Sequence, residues 1–314
     1  MTWAQPPTET GRLTFGVVLR EGDLAAFRGR LTALAEIVVG SGLDHVTVGD
    51  HVSFADGHGV DGLVQATALL ASHPTLRVQT GVYLLVLRHP AAVARALATI
   101  SSLAPGRFTF GVGLGGDDPH ELELCGIDPR TRGARMNEAL ACVRLFMAEE
   151  QIDFSGSFFT FEETAIRPAP EPRIPLLVGG RSDAALERVA RLGDGWLALW
   201  VSPQRLVAAT ELIDIAAAEA GRTHTPWLHT LQLWAGFDSS REAAVNRVSR
   251  VMEQSYALPF ARFERYTPCG RPEDIAAALE PYVMAGCRRF NFVPEASDLE
   301  HAISAIAEVH RLLS

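Results

Sequence analysis

Residues 75–87, TLRVQTGVYLLVL, and residues 107–116, RFTFGVGLGG, bracket an alanine-rich segment that begins Arg88-His89-Pro90. Parallel neighbours in a sheet need a long connection that packs back on it, and between these two apolar runs Val93, Leu97, Ile100 and Leu103 recur at helical spacing. The segment therefore reads as strand, crossover helix, strand. The second run ends in Gly111, Gly113, Gly115 and Gly116, which lets a ligand approach bare backbone at the carboxyl edge of a sheet. That edge is the expected place of the chemistry.

Working outward, strands fall near 13–19, 44–49, 76–85, 107–112, 175–178, 195–200, 228–236 and 288–293. Helical patterns separate them: Leu24 to Val38, Leu63 to Leu70, the segment after Pro90, Met136 to Met147, Ala184 to Leu192, Leu206 to Ala218, Ala243 to Met252 and Ile275 to Val283. Eight alternating units with nearly continuous apolar strands predict an α/β fold, a closed (β/α)8 TIM barrel, rather than an open sheet. Insertions are expected after strands 4 and 7 and before strand 5. Residues 114–132 read as an acidic, Gly- and Pro-punctuated loop, and residues 150–174, with Phe154, Phe158, Phe159 and Phe161, as a short β excursion. Residues 1–11 read as a flexible tail and 12–314 as a single barrel domain.

A chain of 314 residues, 47% hydrophobic, can bury a large core. Its net charge of −9 argues against nucleic acid as a partner, since phosphate binding calls for a clustered positive surface. All 28 basic residues are arginine, which excludes a Schiff-base lysine, a pyridoxal anchor and a Walker lysine. Any acidic ligand must then be held by arginine or by backbone N–H groups. Cys125, Cys142, Cys269 and Cys287 are too scattered to signal zinc or a disulfide framework. With no long apolar run and a polar beginning, the expected setting is cytoplasmic, away from membranes.

Several residues could carry chemistry. Asp50 and His51 stand where the second strand ends, as ligand contacts or as a helix-capping Asp with a packed His. His45 reads as an interior histidine and His89, before Pro90, as a cap or positioning residue. Thr80, Gly81 and Val82 mark either a plain bulge or close approach of backbone to a planar ligand. Gly179, Gly180, Arg181 and Ser182 open a helix and suit either an anion or an ordinary capped turn. Gly195 and Trp196 start the sixth strand, and Trp200 at its end is either a ring wall or a core residue. Asp117, Asp118 and Glu121 could act as a general acid, or simply face solvent.

In this order the pieces GLDHVTVGDHV, TGVYLLVLRHPAAVARALATISSLAPGRFTFGVGLGG, TRGARMNEAL, IPLLVGGRSDAALERVARLGDGWLALWVSP and GRPEDIAAALEPYVMAGCRRFNF resemble the luciferase-like monooxygenase superfamily. The match spans roughly 13–293 and is most similar to the deazaflavin-dependent oxidoreductases of actinobacteria. The resemblance implies a barrel holding coenzyme F420, or alternatively FMN, at its carboxyl face, with Asp50, His51, Thr80, Gly81, Val82, Gly113, Gly195 and Trp196 around the cofactor. Gly179, Gly180, Arg181 and Ser182 would receive its phosphate, and the Gly81–Val82 peptide would be cis. It implies hydride transfer with a small organic substrate, His51 as proton partner oriented by Asp50, and Asp118 or Glu121 as the fallback. A homodimer is a further expectation. An FMN-dependent two-component monooxygenase, served by a separate reductase, and a non-catalytic flavin-binding barrel are the alternatives. The chain departs from the sugar-phosphate dehydrogenases of the family: Ser53, Phe54 and Ala55 occupy the stretch where those carry a tryptophan, and their phosphate-binding lysines have no counterpart. Sugar-phosphate oxidation is therefore not the expected activity.

Overall fold

A computed structural model describes residues 11–54, 57–115, 119–148 and 151–314. Eight strands run parallel: β1 (Thr14–Leu19), β2 (His45–Val48), β3 (Val78–Thr80), β4 (Phe108–Val112), β5 (Leu176–Gly179), β6 (Gly195–Leu199), β7 (Thr230–Phe237) and β8 (Arg289–Glu295). Each pairs with the next in sequence, and β8 pairs with β1, so the sheet closes into the expected barrel. Alternation along the strands separates an outer face from an inner one. Phe15 points outward and packs on Phe290, Phe292 and the ring of His310. Gly16 points inward, where an added Cβ would collide with the His45 ring. Burying one such phenylalanine contributes about 1.5–3 kcal/mol.

The outer layer is made by α1 (Leu31–Gly40), α2 (Gly62–Ser72), α3 (Pro90–Leu103), α4 (Arg132–Phe146), α5 (Asp183–Leu192), α6 (Pro203–Glu219), α7 (Arg241–Tyr256), α8 (Pro272–Met284) and α9 (Leu299–Leu313). Side chains cap several of them where the chain leaves a strand: Asp61 for α2, Ser182 for α5, Ser202 for α6, Ser240 for α7 and Asp298 for α9. Helix starts, with their unsatisfied amides, therefore gather at the carboxyl rim.

The insertions lie where the sequence puts them. A short helix, Pro119–Leu124, follows β4, and an antiparallel hairpin, Ile152–Ser155 with Thr160–Thr164, precedes β5. The Glu138 carboxylate pins that hairpin by accepting from the amides of Ser157 and Phe158. After β7, α7 packs with Phe260 and Phe263 onto Val18, Trp234 and Val293, covering one side of the barrel mouth.

Three expectations need correction. The Leu24-to-Val38 pattern is two helices, Glu21–Ala26 and α1, parted by Gly29 at φ +74°. The third strand stops at Thr80, because the chain leaves the ladder at a cis Gly81–Val82 peptide and touches β4 again only through Tyr83. Helix α9 lies beyond the eight helical patterns named above.

At the amino end of β6, the buried Asp194 accepts from Arg144 at 2.8 and 3.1 Å, from Arg173 at 3.0 and 3.1 Å and from the Leu176 amide at 2.8 Å. Burial alone would raise this carboxyl, but the two guanidinium groups outweigh it and hold it below the ordinary value. A depressed carboxylate stabilises the fold above its unfolded value, about 3.9, and stops doing so as pH falls through its folded value. Arg144→Met should therefore cost about 3 kcal/mol in urea denaturation at neutral pH. The gap to the unaltered protein should shrink as the pH is taken below about 4, the range in which unfolded aspartates protonate.

Candidate active site

At the carboxyl ends of β3, β4 and β5 the backbone lies bare. A Cβ added to Gly113 would sit 2.5 Å from Val82 Cγ2, and one added to Gly179 would sit 3.1 Å from Val82 Cγ1. Val82 thus rests on two neighbouring strand ends, where a side chain would collide with it at Gly113 and crowd it at Gly179. On the inner side, a Cβ on Gly81 would lie 2.5 Å from Thr47 Cγ2 and 2.9 Å from Gln232 Oε1. Thr47 Oγ1 and Gln232 Oε1 are both buried without a hydrogen-bond partner among the described residues. Such groups cost free energy unless a ligand or water satisfies them.

Beyond β5, Gly180 adopts φ +124°, and its carbonyl accepts from the Trp196 indole N–H at 2.7 Å. The Trp196 amide in turn donates to His229 Nδ1 at 3.0 Å. Ser182 accepts from the Ala185 amide and caps α5, whose first amides have no intrahelical acceptor. Arg181 lies with its guanidinium carbon 5.5 Å from the Trp200 ring. Asp183, in the same turn, is 91% exposed and lies 3.6 Å from the Arg205 guanidinium. The segment is both a capped turn and a place for an anion.

His51 opens a small hairpin, His51–Phe54 with His58–Val60. Its Nδ1 lies 3.2 and 3.3 Å from the two oxygens of Glu121. Glu121 is only 2% exposed, and its Oε1 also accepts from the amides of Val52 at 2.6 Å and Ser53 at 3.2 Å. A carboxylate that only accepts puts the proton of a neutral imidazole on Nδ1 and leaves the Nε2 lone pair free. Glu121 is thus not a solvent-facing acid: the Pro119–Leu124 helix turns it inward.

Asp50 does not orient His51. Its oxygens receive Arg88 at 2.6 and 2.8 Å and the amides of Gly62 and Leu84 at 2.9 Å each. Burial pushes its carboxyl above the ordinary value, while Arg88 and the two amides oppose that. Consecutive residues at a strand end face opposite ways, so Asp50 holds the β2 and β3 exits together while His51 looks outward. Arg88, which packs 4.6 Å from the Tyr83 ring, is the partner that residue spacing did not reveal.

Four other candidates are structural. Thr80 is fully buried and exchanges hydrogen bonds with the Gly111 carbonyl and amide. Gly195 sits at the amino end of β6, where a Cβ would meet the Leu228 carbonyl, and Trp196 reaches Gly180 from behind the strand. His89 packs edge-on against Phe159 and Phe161. Asp118, with Asp117, lies outside the described residues. His45 is the interior histidine expected, bonded to Asn291 Oδ1 at 2.6 Å and lowered to about 3 by burial. Trp200 joins Tyr256 and Phe263 in an aromatic cluster over the mouth.

Residues 22–286 match the family described as luciferase-like monooxygenase. The chain belongs to that family. An uncharacterised protein of Mycobacterium tuberculosis is 34% identical over 181 residues, 57% of this chain, and the matched segment spans 62% of that protein's length. The F420-dependent glucose-6-phosphate dehydrogenase of Kineococcus radiotolerans is 27% identical over 286 residues, covering 82% of this chain and 85% of that one. Among solved structures, an F420-dependent secondary alcohol dehydrogenase in complex with an F420-acetone adduct superposes with a TM-score of 0.83 at 19% identity, covering 96% and 99% of the two chains. A monooxygenase from Streptomyces bottropensis gives 0.78 at 23%, covering 96% and 97%. These two likenesses show that the luciferase-like barrel is shared.

The contact between Val82 and Gly113 makes a direct prediction. Gly113→Ala should destabilise the protein by about 1–3 kcal/mol through overpacking. Adding Val82→Ala should recover most of that loss, giving a clear coupling energy in a double-mutant cycle read by chemical denaturation.

Proposed function

We propose that this luciferase-like protein is an oxidoreductase that moves a hydride between the deazaflavin coenzyme F420 and a small alcohol or carbonyl substrate. The observation that carries the reading is the glycine floor around Val82 with an imidazole, fixed by a buried carboxylate, held on the same barrel face. The orphaned Thr47 Oγ1 and Gln232 Oε1 beside the Gly81 notch suit the polar edge of a pyrimidine-like ring, so the residues present fit such a group. The relatives named as F420-dependent enzymes support the same cofactor.

When bound, the deazaflavin would supply a carbon that gives or takes a hydride. The chain's part is to hold and to exclude. Val82, Gly113 and Gly179 would back the ring, and the amides at the start of α5, with Arg181 and Ser182, would take the phosphate. Trp200, Trp234, Tyr256 and Phe263 keep water from one side of the mouth. His51 Nε2 would accept the hydroxyl proton of an alcohol or, once protonated, return it to a carbonyl oxygen. Glu121 keeps Nε2 facing outward and steadies the protonated ring. Without lysine, and with Ser53 and Phe54 next to His51, the site favours an uncharged substrate over a sugar phosphate.

Parallel titration with oxidised F420 and with FMN, read by fluorescence quenching, tests the cofactor. Tighter binding of F420 is expected; tight binding of FMN alone would replace the reading with a two-component monooxygenase. With a substrate in hand, His51→Ala should lower kcat by about 10²- to 10⁴-fold with little change in cofactor affinity. Glu121→Gln should displace the pH profile of kcat, whereas Asp50→Asn should act on the melting temperature. If His51→Ala leaves turnover intact, the proton role is wrong.

A further inference from the structure

On the outer helical layer, where Asn137 of α4 and Ala220 after α6 flank α5, lies an open groove of ≈ 630 Å³. Arg188 and Arg191 line it together with Leu192, and it shares no residue with the barrel mouth. Two arginines among the described residues are almost fully buried, Arg144 at 2% exposure and Arg188 at 6%. Arg144 has the Asp194 carboxylate. Arg188 donates from Nε to Asn137 Oδ1 at 2.7 Å, and its two terminal nitrogens have no acceptor among the described residues. Glu187, its neighbour in the chain, is taken by Arg191 at 3.1 Å. Burial pushes the Arg188 guanidinium below its ordinary value, and Glu187 only partly opposes this. An arginine keeps its charge even so. A buried charge without a counter-charge is costly, so this one is expected to meet an anion from outside the chain.

We propose that this groove is a binding site for a medium-chain monocarboxylate, on the outside of the barrel and separate from the glycine-floored mouth. With Nε engaged by Asn137, the edge of Arg188 that carries Nη1 and Nη2 is left, and its two parallel N–H directions match a planar carboxylate. Asn137, whose oxygen is taken by Arg188, has only its N–H donors left to offer. Two guanidinium groups against one carboxylate, that of Glu187, leave the groove a single positive charge. One carboxylate balances it, and a second would meet Glu187. Leu192, Ala184 and Ala220 provide apolar surface for an aliphatic chain, and the volume falls in the range of small-molecule pockets. The proposal stands whichever redox cofactor the mouth takes.

The probe is hexanoate, titrated by isothermal calorimetry into the full chain, with 1-hexanol as its uncharged counterpart and adipate as its doubly charged one. Hexanoate should bind saturably and about ten-fold more tightly than hexanol, a difference set by one charge-assisted contact. Adipate should bind no more tightly than hexanoate. Arg188→Met should remove the preference for the acid without lowering the melting temperature, because no ion pair is lost with the guanidinium. Asn137→Leu, at an exposed position, should weaken hexanoate several-fold and leave hexanol unchanged, which tests the same contact without touching the buried arginine. No saturable binding of hexanoate, tighter binding of adipate, or unaltered hexanoate binding by either variant would overturn the assignment.

Discussion

The arrangement depends on side chains that are absent. Val82 can lie flat across the ends of β4 and β5 only because Gly113 and Gly179 offer it backbone, and the chain can leave β3 beside Thr47 and Gln232 only because Gly81 has no Cβ. Elsewhere the barrel is packed with large residues such as Phe15, Phe110 and Phe290, all fully buried. A close-packed wall with a bare rim is how one sheet serves two purposes: the wall provides stability, and the rim leaves room for a flat ligand.

Much of this was written in the residues. Runs such as IPLLVG are apolar on both faces, as strands covered inside and out must be, so the barrel and its insertions could be read directly. What escaped was set by contacts distant in sequence. An acid in a loop rich in Asp, Glu and Gly carries no mark of burial, and Glu121 becomes a partner of His51 only because Leu122, next to it, is drawn under Val86 and Ile127. Asp50 was legible in principle, since two successive residues at a strand end cannot both face the same space. The closing helix was too, for Leu299, Ile303, Ile306 and Val309 recur at helical spacing.

Charge is distributed in the same economical way. In a chain without lysine, arginine serves as strut as well as ligand-facing group. Arg144 and Arg173 neutralise Asp194 under the barrel, and Arg88 neutralises Asp50 near its mouth. Arg20 does the same for Glu295 where β1 and β8 end. A planar fork that stays charged when buried is suited to such work in a way an ammonium is not. Arg181 and Arg265, which lie on aromatic rings and make no ion pair among the described residues, stand apart from this scaffold.

One residue, through its indole and its backbone amide, links the two ends of the barrel. Trp196 grips the Gly180 carbonyl with its indole and is itself held by His229 at the start of β7. The loop that would cradle an anion is therefore moored, through a single rigid strut, to the far floor of the barrel. Its tolerance to mutation should follow the fate of that mooring more closely than the identity of its own exposed residues.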